Sequence, residues 1–258
     1  MRSPLRRLLA LVALLAITAT PSVSIGQSAD RWESEGDSLM RAFDTAAAIE
    51  AYRRGLENDP DDVSLLWKTS RALANRADET SGEEGDEPRY ERAVDLARRA
   101  VRAGPAVSRA HTTLATALGK LALYRGGRRK VELSREVKTE AERAVELDPD
   151  DFAPFTVLGV WNREVATLNF FLRTFAETFY GGLPDASLDR SRRLLERAVS
   201  LAPDRITPHL ELARTLAELD RDRAARRALR DALSLEPRET LDRVQQRRAR
   251  ALLEDLEG

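Results

Sequence analysis

The stretch Trp32-Glu33-Ser34-Glu35-Gly36, followed by Ala48-Ile49-Glu50-Ala51-Tyr52 and closed by Asn58-Asp59-Pro60-Asp61-Asp62, decides the fold. Each residue type in it has a mechanical reason. Gly36 and Ala48 stand where two antiparallel helices cross, because only small side chains let backbones approach closely. Trp32 and Tyr52 fill the space beside that crossing. Pro60 ends the second helix, and the surrounding Asp and Asn residues supply turn chemistry and a fresh N-cap.

The spacing repeats. Leu212, Ala213, Ala225, Leu229, Ala232 and Pro237 fall in the same register near the C-terminus. The closing signature recurs in between as Ala100 with Pro105, as Ala144-Val145-Glu146-Leu147-Asp148-Pro149 and as Ala198-Val199-Ser200-Leu201-Ala202-Pro203. A period of about 34 residues with this residue set is the tetratricopeptide (TPR) pattern of paired helices. The expected fold is therefore all-α: a TPR-like right-handed superhelix of antiparallel helix pairs. Five units are expected within residues 27–239, at about 29–62, 63–107, 108–151, 152–205 and 206–239. Residues 240–258 read as one C-terminal capping helix, which a repeat stack needs because its last unit otherwise exposes an apolar face.

The closing prolines at 60, 105, 149, 203 and 237 show that the three middle units exceed the period, with the excess between their two helices. The insertion from Asp78 to Pro88 is acidic, that around Gly126-Gly127 is basic, and that from Leu168 to Tyr180 is apolar and aromatic. Leu168, Phe171, Leu172, Phe175 and Phe179 recur at helical spacing and form one stripe. The first helix of unit four is expected to continue through it, from about Phe155 to Phe179. Its expected cover is the helix of unit three, through Leu118, Leu121, Ala122 and Tyr124. The alternative is an exposed stripe that docks on a membrane surface or a partner helix.

Of the 258 residues 42% are hydrophobic and 33% charged, enough to bury a core and remain solvated. The chain opens Met1-Arg2-Ser3-Pro4-Leu5-Arg6-Arg7, runs apolar from Leu8 to Ile17, and then passes through Ser24-Ile25-Gly26. A basic start, a short apolar block and small residues before Gln27 are the pattern of a cleavable signal peptide, here residues 1–26. The apolar run is broken by Thr18, Thr20 and Pro21, short of the roughly 20 residues a membrane span needs. The expected location is exported, periplasmic or extracellular, with no stable membrane span after cleavage. There is no cysteine, so stability in an oxidising compartment must come from helix packing. A formal net charge of −1 gives no reason to expect nucleic acid.

Beyond the repeat pattern, the middle of the chain carries Leu65-Leu66-Trp67-Lys68 with Arg71-Ala72-Leu73, Ala117-Leu118-Gly119-Lys120-Leu121-Ala122, Leu158-Gly159-Val160-Trp161 with Glu164-Val165-Ala166, and Phe179-Tyr180-Gly181-Gly182-Leu183-Pro184. In these residues, across about 60–236 and including the insertions, it resembles the regulator of microtubule dynamics family. The resemblance implies a TPR-like helical fold and a role in protein interaction. Microtubule binding is not part of that expectation, because an exported chain and cytosolic microtubules occupy different compartments.

No catalytic set is legible, and no cofactor or metal is expected. The two histidines, His111 and His209, fall where the repeat places a large packing residue, and no His-x-x-x-His spacing accompanies them. There is no Gly-x-Ser-x-Gly elbow. Gly126-Gly127 and Gly181-Gly182 lack a following Gly-Lys-Ser/Thr and read as turn glycines. The chain is thus read as a non-catalytic protein–protein interaction scaffold of the cell envelope. The alternative is a ligand-binding or hydrolytic protein using the groove as a pocket.

In TPR stacks the first helix of each unit lines the concave groove. Counting along those helices turns Trp67, Arg71, Arg109, Thr112, Lys120, Arg163 and Arg214 inward, with acids such as Glu33 and Asp37 only at the entrance. Such a groove suits a peptide or protein partner with acidic groups, since Arg forks carboxylates and Trp supplies an anchor. The competing reading is that these cations satisfy neighbouring carboxylates of the chain itself.

Overall fold

The computed structural model describes residues 25–80, 86–125, 127–168 and 185–258. Among the described residues there are eleven helices and no strand: α1 (Ile25–Arg41), α2 (Thr45–Asn58), α3 (Val63–Glu79), α4 (Asp86–Ala103), α5 (Ser108–Ala122), α6 (Gly127–Leu147), α7 (Phe152–Ala166), α8 (Leu188–Leu201), α9 (Ile206–Ala217), α10 (Asp222–Ser234) and α11 (Thr240–Glu257). Consecutive helices pack as antiparallel pairs, and the second helix of each pair packs on the first of the next. The result is an all-α TPR-like superhelix closed by a terminal helix.

The helices begin and end where local chemistry dictates. Side-chain oxygens of Asp44, Asp62, Asp151 and Ser187 accept from the free backbone N–H groups of Ala47, Leu65, Ala153 and Arg190 at 2.8–3.1 Å. In units one and five, which carry no insertion, the turn between the two helices uses a left-handed residue, Phe43 (φ 64°) and Asp220 (φ 55°). Each is followed by the same bond, Asp44 N to Leu39 O and Arg221 N to Leu216 O, both 2.9 Å. That six-to-one return satisfies a carbonyl the helix end would otherwise orphan.

Close packing at the crossings confirms the reason for the small residues. A Cβ placed on Gly36 would stand 2.2 Å from Tyr52 Cε1, and one on Gly159 2.5 Å from Leu195 Cγ. Ala48, Tyr52 and Leu195 are fully buried. Buried hydroxyls tie paired helices together as well: Ser70 donates to the Ala93 carbonyl and Ser191 to the Gly159 carbonyl, both at 2.7 Å.

The expected continuous helix through the aromatic insertion does not form. α7 stops at Ala166, with Thr167 as its C-cap donating back to the Arg163 carbonyl. Leu168 folds onto the central core beside Trp161 and Val165, while Phe171, Leu172, Phe175 and Phe179 lie outside the described residues. Leu118, Leu121 and Ala122 are buried in that same core against Leu133 and Val137, so they are already covered by α6. Tyr124 is partly exposed, its ring 5.6 Å from that of Tyr90. Gly127 opens α6; Gly126, Gly181 and Gly182 lie outside the described residues. Among the described residues no helix is long and apolar enough to cross a membrane.

The helix α11 does more than cap. Ala249, Leu252, Leu253 and Leu256 join the core of unit five, with Leu210, Leu216 and Leu229. Its N-terminal part also crosses the concave side of the superhelix to pack on α3 of unit two. The Thr240 hydroxyl donates to the Phe43 carbonyl at 3.0 Å, and the Arg243 guanidinium lies 3.8 Å from the centre of the Phe43 ring.

Candidate partner-binding groove

The first helices of the units, α3, α5, α7 and α9, stand side by side along the concave face. On α3, Trp67 is half-buried against Leu66, Ala100 and Ala110, with Lys68 Nζ and Arg71 Cζ at 5.6 and 5.9 Å from its ring centre. Lys68, which residue spacing did not turn inward, holds both acids of the groove entrance. Its ammonium donates to Asp37 at 2.5 Å and lies 2.6 Å from Glu33. Asp37 also accepts from the Tyr52 hydroxyl at 2.7 Å. Burial, and then that carboxylate, push the Tyr52 phenol well above its ordinary range.

The five inward cations each meet a carboxylate of the chain. Arg71 is 3.8 Å from Glu239. Arg109 Nε is 2.9 Å from the buried Asp151, the residue that caps α7. Lys120 lies 2.8 Å from Asp78, which also accepts from the Tyr90 hydroxyl at 3.2 Å. Arg214 donates to Glu211 at 2.9 Å. Arg163 is itself buried, its Nη2 2.8 Å from Glu211 and its Nη1 donating to the Glu211 carbonyl at 3.2 Å.

These contacts correct the expectation that acids stand only at the entrance. Asp78, Asp151, Glu211 and Glu239 lie deeper, and spacing within a unit does not reveal them because the pairing runs between units. Lys120 and Asp78 are 42 positions apart and Arg163 and Glu211 are 48, separations that inserted units do not make periodic. The one local signal was Glu211 three residues before Arg214 on the same helix face. Thr112 is a second correction: it is buried, and its hydroxyl donates to the Ser108 carbonyl of its own helix at 3.1 Å, so it faces no partner.

Electrostatically the deep end of the groove is balanced. Burial pushes the Glu211 carboxyl up, but the charges of Arg163, Arg214 and Lys120 outweigh it and hold the group below the ordinary glutamate range. Burial works against the Arg163 cation too, and Glu211 and Glu164 more than restore it. Neither could be buried alone without a penalty of several kcal/mol, of the order of that for any unpaired internal charge.

The histidines stitch units together. His209 Nε2 lies 2.9 Å from the carbonyl of Pro203, the closing proline of the preceding unit, and His111 Nε2 is 3.0 Å from that of Pro105. His111 Nδ1 also faces Glu140 at 2.6 Å. Both rings are buried. Among the described residues no group of three or more His, Cys, Asp or Glu could hold a metal ion.

Comparison with known proteins agrees with this architecture. The solved structure of TTC0263, a thermophilic TPR protein in Thermus thermophilus, superposes with a TM-score of 0.64 at 16% identity, covering 86% of this chain and 99% of that one. Regulator of microtubule dynamics protein 1 of Mus musculus is 28% identical over 156 residues, 60% of this chain and 51% of that protein. The protein of the same name from Bos taurus is 25% identical over 180 residues, 69% of this chain and 56% of that protein. The chain thus spans about half the length of the curated relatives it matches. The family described as Regulator of microtubule dynamics protein 1-3 matches residues 27–257, from the first helix of the superhelix through α11, and the chain belongs to that family.

Proposed function

We propose that the protein is a non-catalytic interaction scaffold, exported to the cell envelope, which takes a peptide or protein segment on the concave face of α3 and its neighbours. The observation that carries this reading is Trp67: a large aromatic ring half-buried at the wall of a TPR groove, flanked by Lys68 and Arg71. A rigid, partly desolvated aromatic beside cations is what binding anchors consist of. Because the deeper cations already face Asp78, Asp151 and Glu211, a partner with matched charges of both signs suits the groove better than a purely acidic one. Export is supported by the basic start, the Leu8 to Ile17 run and the family match that begins at residue 27, where cleavage is expected.

Family membership favours a second reading. The relatives are named for regulation of microtubule dynamics, and such a role here requires the chain to stay in the cytosol. One experiment addresses the groove and the compartment together. Mature protein is used as bait against envelope and cytosolic fractions of its host, with Trp67→Ala as control. A partner recovered from the envelope and lost by about 2 kcal/mol of binding energy with Trp67→Ala, at unchanged helical circular dichroism, is the expected result. Undiminished binding by the variant moves the interface elsewhere, and a partner found only in the cytosol overturns export.

A further inference from the structure

The helix α11 is built in two unlike halves. From Ala249 onward its apolar face, through Leu252, Leu253 and Leu256, belongs to the core of unit five. From Thr240 to Arg248 it is mostly polar, and three of its polar side chains, Asp242, Gln245 and Gln246, are buried beside Val244, while Arg243 and Arg247 face solvent. This half lies on α3, the helix that carries Trp67 and Arg71.

Its ends are tied down, Thr240 to the Phe43 carbonyl at 3.0 Å and Gln246 to the Leu235 carbonyl at 2.8 Å, but its ion pairs to α3 are long. Glu239, the N-cap of α11, stands 3.8 Å from Arg71, and Arg248 stands 3.7 Å from Asp78. Arg71, Asn75 and Asp78 occupy one face of α3 by their spacing, as Gln245 and Arg248 do on α11. Between the two charge pairs the fit is incomplete. Asn75 is 6% exposed and its amide nitrogen has no partner; Gln245 is 5% exposed and its amide oxygen has none. A buried donor and a buried acceptor are both left unsatisfied on the faces that meet, which a well-made core avoids.

We infer that the N-terminal half of α11 is a displaceable occupant of the concave groove, a latch formed by the chain's own helix that a partner helix of matching charge replaces. This rests on the groove reading above and specifies the partner: an amphipathic helix with an acid facing Arg71, a hydrogen-bond acceptor facing Asn75 and a base facing Asp78. In α11 the acid and base are Glu239 and Arg248, two and a half turns apart. A helix that also satisfied Asn75 would bind where α11 binds imperfectly. The apolar half, anchored by Ala249 and Leu252 to Leu256, keeps α11 tethered while the latch opens, so opening needs no unfolding of unit five.

The test separates the latch from the groove. Native-state hydrogen exchange on the full chain should show amides of residues 243–248 exchanging at least about tenfold faster than those of α9, without global unfolding. In Arg243→Ala/Arg248→Ala, which removes the guanidinium contacts to the Phe43 ring and to Asp78, exchange should accelerate further by about tenfold in α11 alone. A labelled peptide of residues 238–258 should then bind this variant at least about tenfold more tightly than it binds the unaltered chain, and adding Arg71→Glu should abolish the gain. Protection of residues 243–248 equal to that of α9 overturns the latch and leaves the groove reading standing. Fast exchange in α11 with no peptide bound by the variant overturns the groove reading, and with it the amphipathic-helix partner.

Discussion

Arg163 of α7 and Glu211 of α9 meet at 2.8 Å with each side chain only 8% exposed, a charge pair from two different units sealed inside the wall of the groove. Arg214 and Lys120 add positive charge around the same carboxylate. Glu211→Ala should cost about 3 kcal/mol in urea unfolding, because it leaves the buried Arg163 with only the exposed Glu164 as counter-charge. Replacing both, Arg163→Met with Glu211→Leu, should recover most of that loss. Because the folded state holds the Glu211 carboxyl below its ordinary range, its contribution to stability is complete above that range. It disappears as pH falls through the lower, folded value. Stability of the unaltered chain should therefore drop on acidification below about pH 4, and Glu211→Gln should flatten that slope. An unchanged slope in the variant assigns the acid sensitivity to other carboxylates.

Two helical glycines should respond oppositely to alanine. The Cβ of Gly36→Ala collides with the Tyr52 ring, at 2.2 Å, and should destabilise by about 1–3 kcal/mol. At Gly119 the nearest atom outside the helix is Val137 Cγ2 at 3.9 Å, so Gly119→Ala should stabilise by about 0.5–1 kcal/mol through helix propensity. Thermal denaturation of the two variants side by side measures both signs.

Capping offers a second matched pair. Ser187 accepts from the Arg190 N–H at 3.1 Å, and Ser187→Ala should cost about 1 kcal/mol. α10 begins after Arg221, which is exposed and makes no side-chain cap bond, so Arg221→Ser should gain up to about 1 kcal/mol. Equal and negligible shifts in both would show that the caps do not limit stability.

The N-terminus gives a direct measurement of location. Intact-mass and N-terminal peptide analysis of protein from its native host should show a chain beginning near Gln27. An intact Met1 on cytosolic protein overturns export and favours the cytosolic reading.

The repeat was legible in the residues alone. Gly36 with Tyr52, Ala48, the closing prolines and the Asp and Ser caps act within one unit or one turn, so their spacing alone fixes which side chains meet. Family resemblance was legible for the same reason, since Trp67, Trp161 and the small residues at the crossings carry it. What fills the groove emerges only once the units are stacked. The partners of Lys120, Arg163 and Arg71 are Asp78, Glu211 and Glu239, on other units or on α11, and residue spacing within a unit does not say how far one unit turns against the next. The end of α7 at Ala166 was also a tertiary outcome: the apolar period past Leu168 is compatible with helix, but the fold onto the central core turns the chain at Thr167. The superhelical turn accumulated over five units brings α11 back onto α3. That closure arises from small rotations summed along the stack, which no local run of residues encodes.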